Sequence, residues 1–166
     1  MHPDLIAARD LIDVLGLDLS AAIPEPDNAE YGAFVSEVGC GSVRLRVGKL
    51  TPTKVGLFVS VWQRAADGST VPFAAENNPD LLVITVREGT RFGQFVFPRN
   101  ALVDHGIVSV AGRGGKRGFR VYPPWSATQN NQARNSQNWQ CAFFLNLDSE
   151  NIDLPLARNF YGDVVG

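Results

Sequence analysis

The sequence predicts an α/β domain built on a mixed central sheet flanked by helices. Strand-like segments crowd its middle third, helical periodicity marks regions near both ends, and LLVITV at residues 81–86 is continuously apolar. Such a hexapeptide reads as a central strand buried on both faces.

The first element is a helix over PDLIAARDLIDVLGL. Pro3 suits an early helical position, and Leu5, Ala8, Ile12 and Leu15 mark an apolar stripe broadened by Ile6 and Leu11. Gly16 supplies a stop. The prolines of PEPDN prevent another helix and send the chain across the surface.

In SVRLRVG, Val43, Leu45 and Val47 alternate with Ser42, Arg44 and Arg46. Period-two alternation buries one face and places two guanidinium groups on the other, expected to be solvent. VGLFVSVWQ, residues 55–63, is largely apolar on both alternating faces and is expected, like LLVITV, among the central strands of the sheet. Asp67-Gly68 is a tight-turn signal. FGQFVFP is a further strand ended by Pro98, which opens a short helix, RNALVDH, closed by Gly106. IVSV and GFRVY read as strands around the glycine-rich AGRGGKR. In SATQNNQARNSQNWQCAFFLNL, Ser126 stands three residues before Gln129, the spacing of a capping box, and Trp139 and Phe143 share a helical face with Ser136 a turn earlier.

A chain of 166 residues is the size of one domain, which buries roughly 70% of its unfolded surface on folding. No long polar tract divides it, so residues 1–166 read as a single domain. The start, MHPDLIAARD, has Asp4 and Asp10 where a secretory signal has basic and then apolar residues. No run approaches the roughly 20 apolar residues of a membrane span. A cytoplasmic location without membrane insertion is expected. Cys40 and Cys141 need no disulfide in such a chain, and they form no metal-ligand spacing with His2 and His105. No metal and no cofactor are expected from local motifs.

The net charge of −2 conceals a segregation. Eight acidic residues lie within positions 1–37, against Arg9 alone. Arg44 to Arg64 holds five basic residues and no acid, and the stretch from His105 to Leu147 does the same. If these two segments meet, one face carries a strong positive potential. A solvated surface with remote acidic neighbours is the alternative.

Within GKLTPTKVG, Lys49 and Lys54 surround a Thr-Pro-Thr corner able to hold an anion such as phosphate. It is not a Walker loop, and GRGGKRG lacks the following helix of a dinucleotide fingerprint. Arg44, Arg46, Lys49, Lys54, Lys116, Arg117 and Arg120 are therefore the candidate phosphate or anion contacts. Tyr122 and Trp125 in VYPPWS offer flat surfaces beside Arg120, with Trp125 the candidate for stacking a base. The same corner also reads as a packed turn over the sheet end. His105, beside Asp104 near a helix end, reads as a surface or helix-dipole residue.

The blocks EYGAFVSEV, GKLTPTKVGLFVSVWQR, GQFVFP, GKRGFRVYPPW and the later NWQ tract resemble the MepB family of small bacterial proteins, over roughly residues 25–145. The resemblance implies an α/β core similar to the restriction-endonuclease-like, PD-(D/E)xK, fold. That pattern joins an early helical Glu, an Asp by one strand and (E/Q)xK on the next, holding a divalent ion and water. Glu30 and Asp80 match the acids and Gln94 the third position, but Val96 stands where the pattern has lysine. Lys54 or Lys49 is the substitute that another strand would have to bring. The resemblance thus implies a degenerate nuclease-like core in a nucleic-acid-binding accessory protein, with DNA or RNA held through phosphates. A hydrolase of a small anionic or nucleotide-related ligand and a protein-binding module stay open beside it.

Overall fold

The computed structural model describes residues 2–16, 23–38, 41–77 and 79–162. Helix α1 is Pro3–Val14. Strands β1 (Ile23–Pro24), β2 (Phe34–Val38), β3 (Gly41–Val47), β4 (Lys49–Leu50), β5 (Leu57–Ser60), β6 (Trp62–Arg64), β7 (Thr70–Pro72), β8 (Leu81–Glu88) and β9 (Arg91–Pro98) follow. The chain then forms α2 (Arg99–Asp104), β10 (Gly118–Val121), α3 (Asn131–Cys141), β11 (Phe144–Asn146) and α4 (Leu154–Phe160). PEPDN does cross the surface, as a 3-10 turn over Pro26–Tyr31.

Six strands form the main sheet in the order β1-β2-β3-β8-β9-β11. Only β3 and β8 run parallel; the other neighbours are antiparallel, so the sheet is mixed as expected. LLVITV is the buried part of β8, between β3 and β9. One face receives α1 and α4, packing Leu5, Ile12 and Tyr161 onto Val43, Leu45, Val83 and Val96. Pro3 begins α1, and the His2 ring Nδ1 accepts the Asp4 N–H at 3.1 Å, satisfying a first-turn donor.

The other face is covered by a second sheet, in the order β10-β5-β4. Residues 55–63 therefore do not join β8, contrary to the sequence expectation. Leu57 and Val59 of β5 face Leu82, Ile84, Phe95 and Phe97 across the core, while Phe58 on the other face meets Tyr31 edge-on at 6.2 Å. Past Ser60 the strand leaves this sheet, and β6 pairs with β7 in a hairpin closed at Asp67-Gly68. Gly68 takes φ +87°, a conformation that favours glycine there.

Three local expectations also change. IVSV forms only isolated bridges at Ser109 and Val110, because Ile107 and Val108 turn into the core instead of lying along a neighbour. Ser126 does not cap α3; its N–H closes a turn onto Pro123, and Asn130 caps by accepting from Ala133 N–H at 2.8 Å. Phe143 lies beyond the helix, yet both it and Trp139 pack on Phe97. Helix α4, capped by Asp153 accepting from Leu156 N–H at 3.0 Å, is an element the sequence reading did not anticipate.

The largest correction concerns Arg44 and Arg46. Alternation in β3 holds, but its second face is the one beneath the β5 sheet, not solvent. Arg46 is fully buried, and both guanidinium groups pair with Glu25. Arg46 also donates from Nε to Ser60 O at 3.1 Å and from Nη1 to Leu45 O at 2.9 Å. Arg44 lies over the Phe73 ring, 3.9 Å from its centroid. Burial lowers the pKa of both guanidinium groups, and Glu25 opposes that shift. Both remain charged, since an unperturbed guanidinium titrates far above neutrality.

Breaking such a buried pair leaves uncompensated charge, at a cost of about 3–5 kcal/mol. Glu25→Gln should lower unfolding stability by about that amount in urea denaturation, whereas Lys49→Ala, which opens the exposed Lys49–Glu30 pair, should cost under about 1 kcal/mol. Equal, small losses for both variants would show that Glu25 does not hold the two sheets.

Candidate functional site: a basic groove between β10 and α3

Strand β10 points Phe119 and Val121 into the core and is paired with β5 along one edge. Along the other edge stands α3. Its Gln140, 1% exposed, accepts the Tyr122 N–H at 2.8 Å and donates to Arg120 O at 2.9 Å. One amide side chain thus takes both bonds that a neighbouring strand would make. Gln137 repeats the device one turn earlier, donating to Pro123 O and Ser126 O at 2.9 Å each. These contacts fix the distance between helix and strand, and a groove opens beside them.

The groove has two connected parts. One, of about 290 Å³, is lined by His105, Lys116, Arg120, Tyr122, Ser136 and Trp139 among others. The second, of about 300 Å³, shares Arg120, Tyr122, Asn130 and Ala133 with it and adds Thr53, Lys54 and Gln129. Gly56, with φ +84°, lets the loop carrying Lys54 approach: a Cβ there would lie 2.8 Å from the Tyr122 ring and from Val121 O. Arg120 is held in place by Thr51 Oγ1, which accepts from Nη2 at 2.7 Å, and by the Val55 and Gly56 carbonyls at 3.3 and 3.5 Å. These three contacts leave N–H donors of its five available to a ligand. The loop 112–115 reaches its place through glycines at positive φ; a Cβ on Gly115 would meet Pro72 at 2.6 Å.

Lys54, Lys116 and Arg120 come together here, from the two different acid-free segments. Among the described residues, no carboxylate lies within 4.0 Å of their charged nitrogens. The other anticipated contacts lie elsewhere. Lys49 donates to Glu30 at 3.0 Å and sits 4.9 Å over the Tyr31 ring. Arg117 donates to Thr70 O and Oγ1 on β7 at 3.0 and 3.2 Å. Arg44 and Arg46 are occupied by Glu25. Trp125 does not line the groove; it donates from Nε1 to Glu88 at 3.0 Å and meets Phe144 edge-on at 5.6 Å.

The four nuclease-pattern positions do not form a centre. Glu30 is exposed with Lys49. Asp80 accepts from Ser42 N–H at 3.0 Å and lies 3.5 Å from Arg99 Nη2. Gln94 is fully buried and accepts the Tyr161 hydroxyl at 2.8 Å, on the helix-covered face. Its register partner Thr85 is five residues along β8 from Asp80, about 17 Å at the usual strand rise. Lys54 is across the molecule's second sheet. Among the described residues, no cluster of three or more His, Cys, Asp or Glu side chains converges for a metal. Cys40 lies outside the described residues; Cys141 is a free, half-buried thiol whose pKa burial raises.

Sequence reasoning did not place His105 in the groove, and it offers the amide face of NNQARNSQNW equally to a ligand or to solvent, whereas Asn130, Gln132, Ser136 and Trp139 line the groove. The signal was present in NNQARNSQNWQ: a helix starting at Asn131 places 132, 136 and 139 along one side. What the sequence does not show is which elements that side faces. His105 and Trp139 stack with ring centroids 4.0 Å apart and planes 5° from parallel.

Fold and groove define a mixed α/β protein with two packed sheets and a cationic, aromatic-floored cleft at the edge of the smaller one. The MepB-like family model matches residues 25–146, which include every residue lining the groove, and the chain belongs to that family. A crystal structure described as that of MepB is similar, with a TM-score of 0.77 and 32% identity, over 90% of this chain and 100% of that one. No curated protein matches the chain. No helix among the described residues is long and apolar enough to cross a membrane.

Removing the Gln140 amide should free the Tyr122 N–H and leave Arg120 O without a donor. Gln140→Ala is expected to lower stability by about 1–3 kcal/mol and to speed hydrogen exchange at Tyr122 selectively. Unchanged protection at Tyr122 would show that the helix is held to the strand by packing alone.

Proposed function

We propose that this protein binds single-stranded nucleic acid in the groove between β10 and α3, through phosphates and without hydrolysing them. The observation that supports the reading is that Lys54 and Lys116 line adjoining pockets that share Arg120, with no carboxylate within 4.0 Å of the three charged groups among the described residues. Three cations around a cleft of this size suit a flexible phosphodiester backbone, whereas a rigid duplex would touch only the rim. Arg120 presents a fork of donors suited to phosphate oxygens, and the two lysines are mobile point charges. Ribonucleic and deoxyribonucleic strands offer the same phosphates to these groups. A nuclease-like ancestry of the core enters this reading only through the family resemblance. The separation of Glu30, Asp80 and Gln94 favours binding over catalysis.

Fluorescence anisotropy with short single strands of DNA and RNA tests the reading. Three phosphate contacts to a single strand give a log–log salt slope near −2, so affinity should fall roughly 20-fold between about 50 and about 200 mM salt. Lys54→Ala with Lys116→Ala should weaken binding roughly tenfold or more, irrespective of sequence. Lys49→Ala with Arg117→Ala, outside the groove, should change it less than about twofold. Absence of binding at low salt, or equal effects of the two pairs, would overturn the assignment.

A further inference from the structure

The groove holds a second kind of chemistry that the phosphate contacts do not use. Trp139 has its inner side against Phe97, with centroids 5.2 Å apart, and its outer side covered by the His105 imidazole. His105 ends α2, its backbone N–H bonded to Ala101 O at 3.1 Å, and Gly106 at φ +68° turns the chain away immediately. The imidazole is thus held flat on the indole, with its far face exposed towards the groove and an adjoining open basin. An aromatic pair whose outermost ring is exposed and positioned by the ring beneath it is a platform for a third planar ring.

The rim of that basin is formed by Gln132, Asn135, Ser136 and Asn138 of α3. Helix α3 divides its polar side chains sharply. Gln137 and Gln140, on the inner side, are engaged with backbone groups. Gln132, Asn135, Ser136 and Asn138 have no hydrogen-bond partner among the described residues. A solvent-facing helix ordinarily carries Glu and Lys, which favour the helix, whereas Asn disfavours it. Here the outer face is almost uncharged and rich in amides. Amides offer a donor and an acceptor side by side, the pattern that base edges present. Carboxylates, which would repel a phosphate strand, are absent from this rim.

We propose that a nucleobase stacks on the exposed face of His105, extending the Trp139–His105 pair, with its edge hydrogen-bonded by the α3 amides. This subsite rests on the phosphate-binding reading and deepens it: the ligand is recognised by a ring as well as by its backbone. The stacking residue is then His105 over Trp139, not Trp125.

Two single strands of equal length, one bearing bases and one abasic throughout, separate the two claims. The base-bearing strand should bind roughly tenfold tighter than the abasic one. His105→Ala should remove most of the roughly tenfold difference between the two strands, whereas His105→Phe should retain it. Should His105→Ala fold poorly, Asn135→Ala on the exposed rim should erode the same difference by several-fold. Equal affinity for both strands, with the Lys54/Lys116 dependence intact, would remove the base subsite and leave the phosphate groove standing. Equal weakening of both strands by His105→Ala, or failure of His105→Phe to restore the difference, would likewise overturn stacking. Binding of neither strand would end both readings.

Discussion

Glu25 reaches from the surface-crossing segment ahead of β2 into the space between the two sheets, where it meets both guanidinium groups of β3. Around that carboxylate the two layers are stitched together. Arg46 donates to Ser60 on β5, the Ser60 hydroxyl donates to Asn28, and Asn28 donates to Trp62 O at 3.1 Å. Phe73 closes the cluster by lying under Arg44 and Arg46. Charged groups here are acceptable because each finds an opposite charge or an oriented carbonyl; isolated, either arginine would be costly to bury. Glu25 thus supplies the charge that lets two arginines lie beneath the β5 sheet, beside the apolar cluster that joins the two layers.

The same cluster explains why segregation of charge along a sequence differs from segregation in space. The acidic stretch 1–37 and the first basic segment look like separate patches in the chain. Folding interleaves them: Glu25 takes Arg44 and Arg46, Asp27 takes Arg64 at 3.0 Å, and Glu30 takes Lys49. Of that segment's five cations, Lys54 alone reaches the groove unpaired. Among the described residues no carboxylate pairs with Lys116 or Arg120, so both keep their charge available. Net positive potential is consequently narrower than composition implied, and located at the edge of the smaller sheet.

Features fixed by local chemistry were legible from residues. The N-terminal helix, the Asp67-Gly68 hairpin, the central burial of LLVITV and the short helix after Pro98 all depend on neighbours a few positions away. Which layer covers a strand is a long-range fact. Alternation told correctly that Arg44 and Arg46 share a face, but apolar periodicity does not say whether the opposite face meets water or another sheet. Residues 55–63 were apolar on both sides because β5 lies between the core and Tyr31, and this looks the same in sequence as membership of the main sheet. The site suffered twice. The expected cap lay four residues too early, at Ser126 and not Asn130, and Trp125 drew attention by its proline-rich surroundings while Trp139 looked like ordinary helix packing. His105 and Trp139 stand 34 positions apart, and no local pattern joins them.

The paired bonds of Gln140 carry a consequence for the company this molecule keeps. An outer strand such as β10 exposes a ladder of amides and carbonyls on which a foreign strand can grow, the usual beginning of sheet-to-sheet aggregation. With Arg120 O and Tyr122 N–H already occupied by a side chain that has no further backbone to offer, the ladder stops there. The β10 edge of the smaller sheet is thereby closed by a side chain just ahead of Pro123 and Pro124. A cleft can in this way stand open beside a strand edge without offering that edge to a foreign strand.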